Sequence, residues 1–526
     1  MSAHRTPARV LGPAALGVLA VAGVLAAAPA SAATVPALGY APDDAGSMSS
    51  ITRIVGAQAA WASGITGAGI DVAVIDTGVT PVAGLDAPGK VVTGPDLSFD
   101  APGATTPGLD AFGHGTFMAS LIAGRDAGVG ASPVGCTTCL NGSGFSDTSR
   151  FVGVAPGARI VDVKVGAADG ASDVTQVIAA LDWVTQHAHD PGMNIRVISL
   201  SYGTTSTQPY TVDPLAEAAE QAWKHGIVVV AAAGNEGHSA PTLADPAYDP
   251  YLVAVGGDDP RDTLVVADDK VPSFAEHGTQ DRPVDLVAPA VHVLGLRVPG
   301  SFVDTQAGNT GQVGTRFQRG SGTSEATAIV SGVAALVAQR YPDATPDQVK
   351  ALLSGTANPL MKGASTDPVS LHHAGHGVPD AGLAVATTLP AAGVTAQPFA
   401  ASTGTGPLDG TRAGMFVTDN GVALTGQQDI FGHPFSSAAM AQAQVRAAAW
   451  SGGTWNGGTW SGAGWSGSRW SSVTWTGSDW SGSRWSGSRW SGMSWDGSRW
   501  SGSGWSSSRW SGSGWDSSRW SGSTWA

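Results

Sequence analysis

Three short blocks place a carboxylate, an imidazole and a hydroxyl along the chain: residues 72–79 (VAVIDTGV) with Asp76, 113–124 (GHGTFMASLIAG) with His114, and 322–337 (GTSEATAIVSGVAALV) with Ser324. A carboxylate that accepts the Nδ1 proton of an imidazole fixes its tautomer and stabilises the imidazolium formed when the other ring nitrogen takes a proton. A hydroxyl that surrenders that proton becomes a nucleophile for carbonyl carbon. Together the three groups point to a serine hydrolase. Taken singly, each block would more simply be a strand-end turn or a helix start.

The elements that must position them are readable nearby. Residues 70–75 form a β-branched, apolar run that predicts a strand buried on both faces, with Asp76 at its carboxyl end and Thr77 and Gly78 turning the chain. Gly113 and Gly115 bracket His114, and Phe117, Met118, Leu121 and Ile122 follow at helical spacing, which puts His114 in a first helical turn. Ser324 follows Gly320, Gly322 and Thr323 and opens a helix with an apolar stripe at Ala326, Ile329, Val330, Val333, Leu336 and Val337. A serine at a helix start has backbone N–H groups and the positive dipole end beside its Oγ, which suits a developing oxyanion.

These blocks resemble the Asp, His and Ser motifs of the subtilase family of serine peptidases, and the resemblance extends over roughly residues 51–388. The segment 228–237 (VVVAAAGNEG) resembles the strand and loop that carry the family's oxyanion-hole asparagine, here Asn235. Residues 197–203 (VISLSYG) resemble the edge segment that pairs with the substrate backbone, and 153–165 (GVAPGARIVDVKV) resembles a further core strand with its lead-in. The resemblance implies substrate contacts at Ser201, Tyr202 and Gly203 and at Ala232, Ala233 and Gly234. It also implies a three-layer α/β fold with a mainly parallel central sheet flanked by helices, and a monomeric endopeptidase that cleaves polypeptides through an acyl-enzyme without a cofactor for its chemistry.

The chain also departs from that pattern. Most subtilases carry Met, Ala, Ser, Pro and His after the serine, where this chain has Glu325, Ala326, Thr327, Ala328 and Ile329. Glu325 sets a carboxylate beside the nucleophile, with an expected influence on the pH dependence of His114. Glu236 sits either at the rim of the specificity pocket or on the surface as a plain charge. Many secreted subtilases have a domain-sized propeptide, whereas only residues 33–50 lie between the leader and the catalytic domain here, too few for an independent core. The expectation is an enzyme active without removal of an N-terminal domain.

Composition indicates export. Residues 1–32 carry Arg5 and Arg9, then an apolar stretch and Ala30-Ser31-Ala32, the pattern of a cleaved signal peptide rather than an anchor. The expected location is extracellular, with no membrane association after cleavage. The chain's net charge of −14 argues against nucleic-acid partners. Its two cysteines, Cys136 and Cys139, fall in a Gly, Ser and Thr-rich insertion and read as a local disulfide. The same insertion occupies the region where many subtilases bind structural calcium; Asn141 and Asp147 offer oxygens, the family loop is not recognisable, and metal binding stays open. His372, His373 and His376 cluster without a carboxylate or cysteine at ligand spacing and read as a solvated loop.

Apolar periodicity predicts helices over 173–187 and 214–225, a strand over 227–232, and a late helix opened by Thr345, Pro346 and Gln348 as N-cap, first-turn proline and capping-box partner. Residues 389–449 read as a linker or accessory segment. From Trp450 to Trp525 a tryptophan stands at every fifth position, sixteen in all, separated by Ser- and Gly-rich spacers. Such a period makes no helical stripe, and in an extended chain it alternates the rings between faces. Residues 450–526 therefore read as a low-complexity tail, as a module that stacks on cell-wall polysaccharide, or as a stacked β-repeat.

Overall fold

The computed structural model describes residues 38–41, 43–101, 108–130, 145, 147–307, 311–363, 365–419 and 422–460. Its central sheet contains β1 (Asp71–Asp76), β2 (Val91–Asp96), β3 (Arg159–Lys164), β4 (Ile195–Leu200), β5 (Val228–Ala232), β6 (Val253–Asp258) and β7 (Leu286–Pro289), in the order β2-β3-β1-β4-β5-β6-β7. Every neighbouring pair is parallel. A parallel sheet needs cover on both faces, which is why β1 and β5 are apolar, buried runs without alternation.

The α-helices through residue 386 are α1 (Met48–Ile54), α2 (Ala57–Ala62), α3 (His114–Ala123), α4 (Val174–His187), α5 (Pro214–Lys224), α6 (Phe302–Ala307), α7 (Thr323–Arg340), α8 (Pro346–Gly355), α9 (Leu371–Ala374) and α10 (Ala381–Ala386), among the described residues. Helix α7 lies along β4 to β7 and against α3, while α4 packs with α5 in a separate layer. The expected starts of α4 and α8 are present as capping boxes, Asp173 with Gln176 and Thr345 with Gln348. A small antiparallel sheet, β8 (Val293–Leu296), β9 (Gln312–Val313) and β10 (Phe317–Gly320), leads into α7.

Strand order positions the site. The chain lays β2 and β3 on one side of β1 and β4 to β7 on the other, so the direction of winding reverses between β1 and β4. Loops at the carboxyl ends of strands diverge at such a reversal and leave a crevice. Asp76 closes β1 at that point, and residues 201–203 leave β4 beside it. Strand β4 is interior, hydrogen-bonded to β1 and β5. The expected edge is therefore absent over Val197 to Leu200, whose backbone ladder is already filled; only 201–203, beyond the ladder, differ from that.

Two terminal segments are part of the packed body. Leu38 and Met48 are buried, Ser47 caps α1, and Asp44 pairs with Arg319, so residues 38–50 pack into the fold that the sequence pattern starts at residue 51. At the other end, residues 396–460 run across α4 and α5. Arg412 and Asp173 form a fully buried ion pair, with Arg412 Nε donating to Asp173 Oδ2 at 2.7 Å and Nη2 to Asp173 Oδ1 at 3.2 Å, and the remaining guanidinium hydrogens go to Asp409 and to the carbonyls of Gly426 and Gln428.

The first repeats are clasped to α4. Trp450 opposes Trp455 across a Gly452-Gly453 turn, and Trp455 opposes Gly458 across Asn456-Gly457. All four turn residues have positive φ (55°, 81°, 46° and 78°), the geometry of tight two-residue hairpins. Reversing the chain every five residues keeps the tryptophans together, contrary to the alternation of an extended chain: Trp460 lies 6.1 Å from Trp450 and 5.8 Å from Trp455. Their indoles face the protein, Trp450 Nε1 donating to Ala179 O at 2.8 Å and Trp455 Nε1 to Asp182 Oδ2 at 2.7 Å. Residues 1–32 and 461–526 lie outside the described residues, as do Cys136 and Cys139.

Removing one partner of a fully buried pair strands the other charge, so Arg412→Ala should lower unfolding free energy by about 3–5 kcal/mol. Chemical denaturation of the two proteins checks this; equal midpoints would show that the pair holds nothing in place.

Candidate active site

Asp76 and His114 meet because two loops interlock. His114 Nδ1 lies 2.7 Å from Asp76 Oδ1 and 2.8 Å from Oδ2, with both side chains buried. The Thr77 amide donates to Asp76 Oδ1 at 2.7 Å. Burial raises the Asp76 carboxyl above its usual range, while the histidine beside it and the Thr77 amide act in the opposite direction. Close approach explains the flanking glycines. A side chain on Gly115 would collide with Gly78 O, and Gly78 itself has φ +107° and lies against Gly108 O.

The sequence reading missed the groups that brace this contact. Asp110 accepts from Gly113 N at 2.6 Å, Thr77 Oγ1 at 2.8 Å and Thr116 N at 2.8 Å, which makes it the anchor for the start of α3. Thr77 Oγ1 in turn accepts from Gly115 N at 2.9 Å. Buried Lys164 donates to the carbonyls of Thr77 and Leu109, both at 2.9 Å. The available signal was Asp110, four residues before His114 at a helix start, where an acidic side chain can satisfy first-turn amides.

Ser324 occupies the second position of α7 and is buried. Asn235, after β5, is latched to the same helix: its Oδ1 accepts from Thr323 N at 3.1 Å, and Gly234 N donates to Thr323 Oγ1 at 3.3 Å. That anchoring leaves Asn235 Nδ2 as a buried donor with no hydrogen-bond partner among the described residues. Glu276 backs the turn, since its N–H donates to Gly234 O at 3.0 Å and its Oε1 accepts from Glu236 N at 2.9 Å. Gly234, at φ +113°, has no room for a side chain beside the Glu276 carboxyl. Ala232 ends β5, Ala233 N bonds Val255 O, and Ser201 Oγ lies 3.5 Å from Ser324 O, so both expected substrate segments border the start of α7.

Glu325 is fully buried with its Oε1 against Gly320, and among the described residues neither carboxyl oxygen has a hydrogen-bond partner. Burial, with Asp76 adding to it, raises its carboxyl well above the usual range. The carboxylate expected beside Ser324 is therefore disfavoured by burial relative to its protonated form. Of the calcium candidates, Asp147 is exposed and accepts from Ser149 N and Oγ, and Asn141 lies outside the described residues.

The subtilase family model matches residues 67–386, and the chain belongs to the subtilase family. Among relatives, it is 35% identical over 296 residues to serine protease AprX of Bacillus subtilis (strain 168), covering 55% of this chain and 61% of AprX. It is 31% identical over 310 residues to Subtilisin BL of Lederbergia lenta, covering 58% of this chain and 90% of that one. Among solved structures, a cold-adapted subtilisin-like serine proteinase matches with 28% identity and a TM-score of 0.41 over 57% of this chain and 86% of the other. The chain thus spans about three fifths of the length of AprX.

A carboxyl whose pKa is higher folded than unfolded holds its proton more tightly in the native state, so stability falls as pH rises past the unfolded value of about 4.3. Glu325→Gln removes that slope. Its denaturation midpoint should match wild type near pH 4 and exceed it increasingly toward neutral pH, by up to about 1.4 kcal/mol per pH unit until the folded group ionises. Parallel stability curves would contradict a buried neutral Glu325.

Proposed function

We propose that this chain is a secreted serine endopeptidase. A polypeptide would lie across the carboxyl ends of β1, β4 and β5, its backbone against residues 201–203 and 232–234. Ser324 Oγ attacks the scissile carbonyl as His114 Nε2 takes its proton, and Asp76 holds the Nδ1–H and stabilises the imidazolium. The Asn235 Nδ2 and the Ser324 N–H stabilise the tetrahedral oxyanion. His114 then returns the proton to the leaving amine, and water attacks the acyl-enzyme by the same route. The observation that carries this reading is the pairing of a bidentate Asp76–His114 contact with an Asn235 whose Oδ1 is pinned to Thr323 N and whose Nδ2 is thereby left to donate.

Export rests on the leader pattern of residues 1–32. Among the described residues no helix is long and apolar enough to cross a membrane. Wall attachment is assigned to the repeat beyond Trp460, because the indoles of Trp450, Trp455 and Trp460 are buried. Deleting 461–526 should abolish retention on purified cell walls and leave peptide hydrolysis intact; unchanged retention would end that assignment.

A fluorophosphonate should label the wild-type protein and not Ser324→Ala. Asn235→Ala should lower kcat on a peptide substrate about 10²–10³-fold with a small change in KM, since its amide acts only on the developing oxyanion. Labelling that persists in Ser324→Ala would refute the assignment of the nucleophile.

A further inference from the structure

Away from the triad, three histidines distant in sequence converge. His277 lies in the loop before β7, and His372 and His373 belong to α9; one nitrogen from each falls within 4.8 Å of the others. Their ring centroids form a near-equilateral set, 4.6 Å from His277 to each of the other two and 4.7 Å between those. His376 is outside this group. Two of the three histidines read as a solvated loop, His372 and His373, thus sit on α9 beside His277, about a hundred positions upstream.

The hydrogen bonds select the tautomers. Gly278 O receives His372 Nε2 at 3.0 Å and His277 Nδ1 at 3.2 Å, so a neutral ring at each position presents its lone pair from His372 Nδ1 and His277 Nε2. Ser370 Oγ meets His373 Nδ1 at 2.7 Å, which leaves His373 Nε2 for a ligand. His238, 5.1 Å from His277, holds its own Nε2 against Pro272 O at 3.0 Å and offers Nδ1 at the rim. Carbonyl-oriented imidazoles of this kind are how metal-binding histidines are aimed.

We propose that His277, His372 and His373 bind one divalent transition metal of the zinc class, with water or His238 as fourth ligand. All-imidazole donors suit zinc, copper or nickel rather than calcium or magnesium. Zn–N bonds of about 2.0–2.1 Å need the nitrogens roughly 3.4 Å apart, so the rings close inward on binding, for which exposed His373 has room. Such a metal ties α9 to the 276–278 loop, and Glu276 of that loop backs the Asn235 turn.

Binding is measured on the full chain carrying Ser324→Ala and no affinity tag, stripped with chelator, so the result is independent of peptidase activity. Calorimetric titration with ZnCl2 should give one equivalent and a higher thermal midpoint, and CoCl2 should give tetrahedral d–d absorption. His372→Asn/His373→Asn, confined to partly exposed positions, should fold and bind at least a hundredfold more weakly, whereas His114→Ala should bind as its parent does. No zinc binding at about 10 µM metal, or equal binding by the double variant, would overturn the proposal.

Discussion

The buried contact between Asp76 and His114 persists only if β1 and α3 cannot move apart. A carboxylate removed from water needs compensating donors, and here they come from both elements. Asp76 is gripped through its backbone as well, its carbonyl accepting from Val165 N at 2.8 Å, so the strand ladder fixes the carboxylate along β1. On the other side Asp110 holds the first amides of α3, and Thr77 bonds both Asp110 and Gly115. Lys164 closes the assembly by binding carbonyls from the two loops at once. The imidazole is thus aimed by a hydrogen-bonded frame, and displacing any member would first disturb where Nδ1 points.

The second half of the site depends on the same principle of mutual anchoring. Asn235 and Ser324 are 89 positions apart in the chain, yet the Thr323 amide and hydroxyl bond both Asn235 and Gly234, so Asn235 and Ser324 share one reference frame. Helix α7 carries that frame, and it rests on α3 and on four strands of the sheet. Glu325, in its first turn, points into this packing, and a side chain on Gly320 would collide with its carboxyl. A neutral acid there avoids the penalty of an unpaired buried charge while keeping its volume.

Much of this was legible in the sequence because the signals were local. The apolar run before Asp76, the stripe after Ser324 and the capping residues at Asp173 and Thr345 each constrain a few consecutive residues, and each element formed where those residues predict it. What escaped were pairings between distant segments. Nothing near Glu276 announces that it will back the Asn235 turn, and nothing near residue 372 announces His277. Strand order was equally hidden: residues 197–200 have the composition of any buried strand, and only the sheet order makes them interior. The tryptophan repeat is different, since its cue was present. Gly452-Gly453 and Asn456-Gly457 are residues that favour two-residue reversals, and counting the ring period without the turns led to alternation.

The C-terminal segment closes an acidic surface with specific donors as well as with buried apolar side chains. Helices α4 and α5 present Asp173, Asp182, Glu217 and Glu220 on the side that residues 396–460 cover. Each receives a specific partner: Arg412 on Asp173, the Trp455 indole on Asp182, the Ser402 amide on Glu220, and Gln221 on Glu217 from within α5. Burial still raises Asp182 to about 7 and Glu217 to about 7, so neutral indole and amide donors suit them better than further cations would. Tryptophan serves both needs at that position, a large apolar body and one N–H donor. The amphipathic character of the indole thus makes the first three tryptophans of the repeat structural, packed on α4 with their N–H groups satisfied.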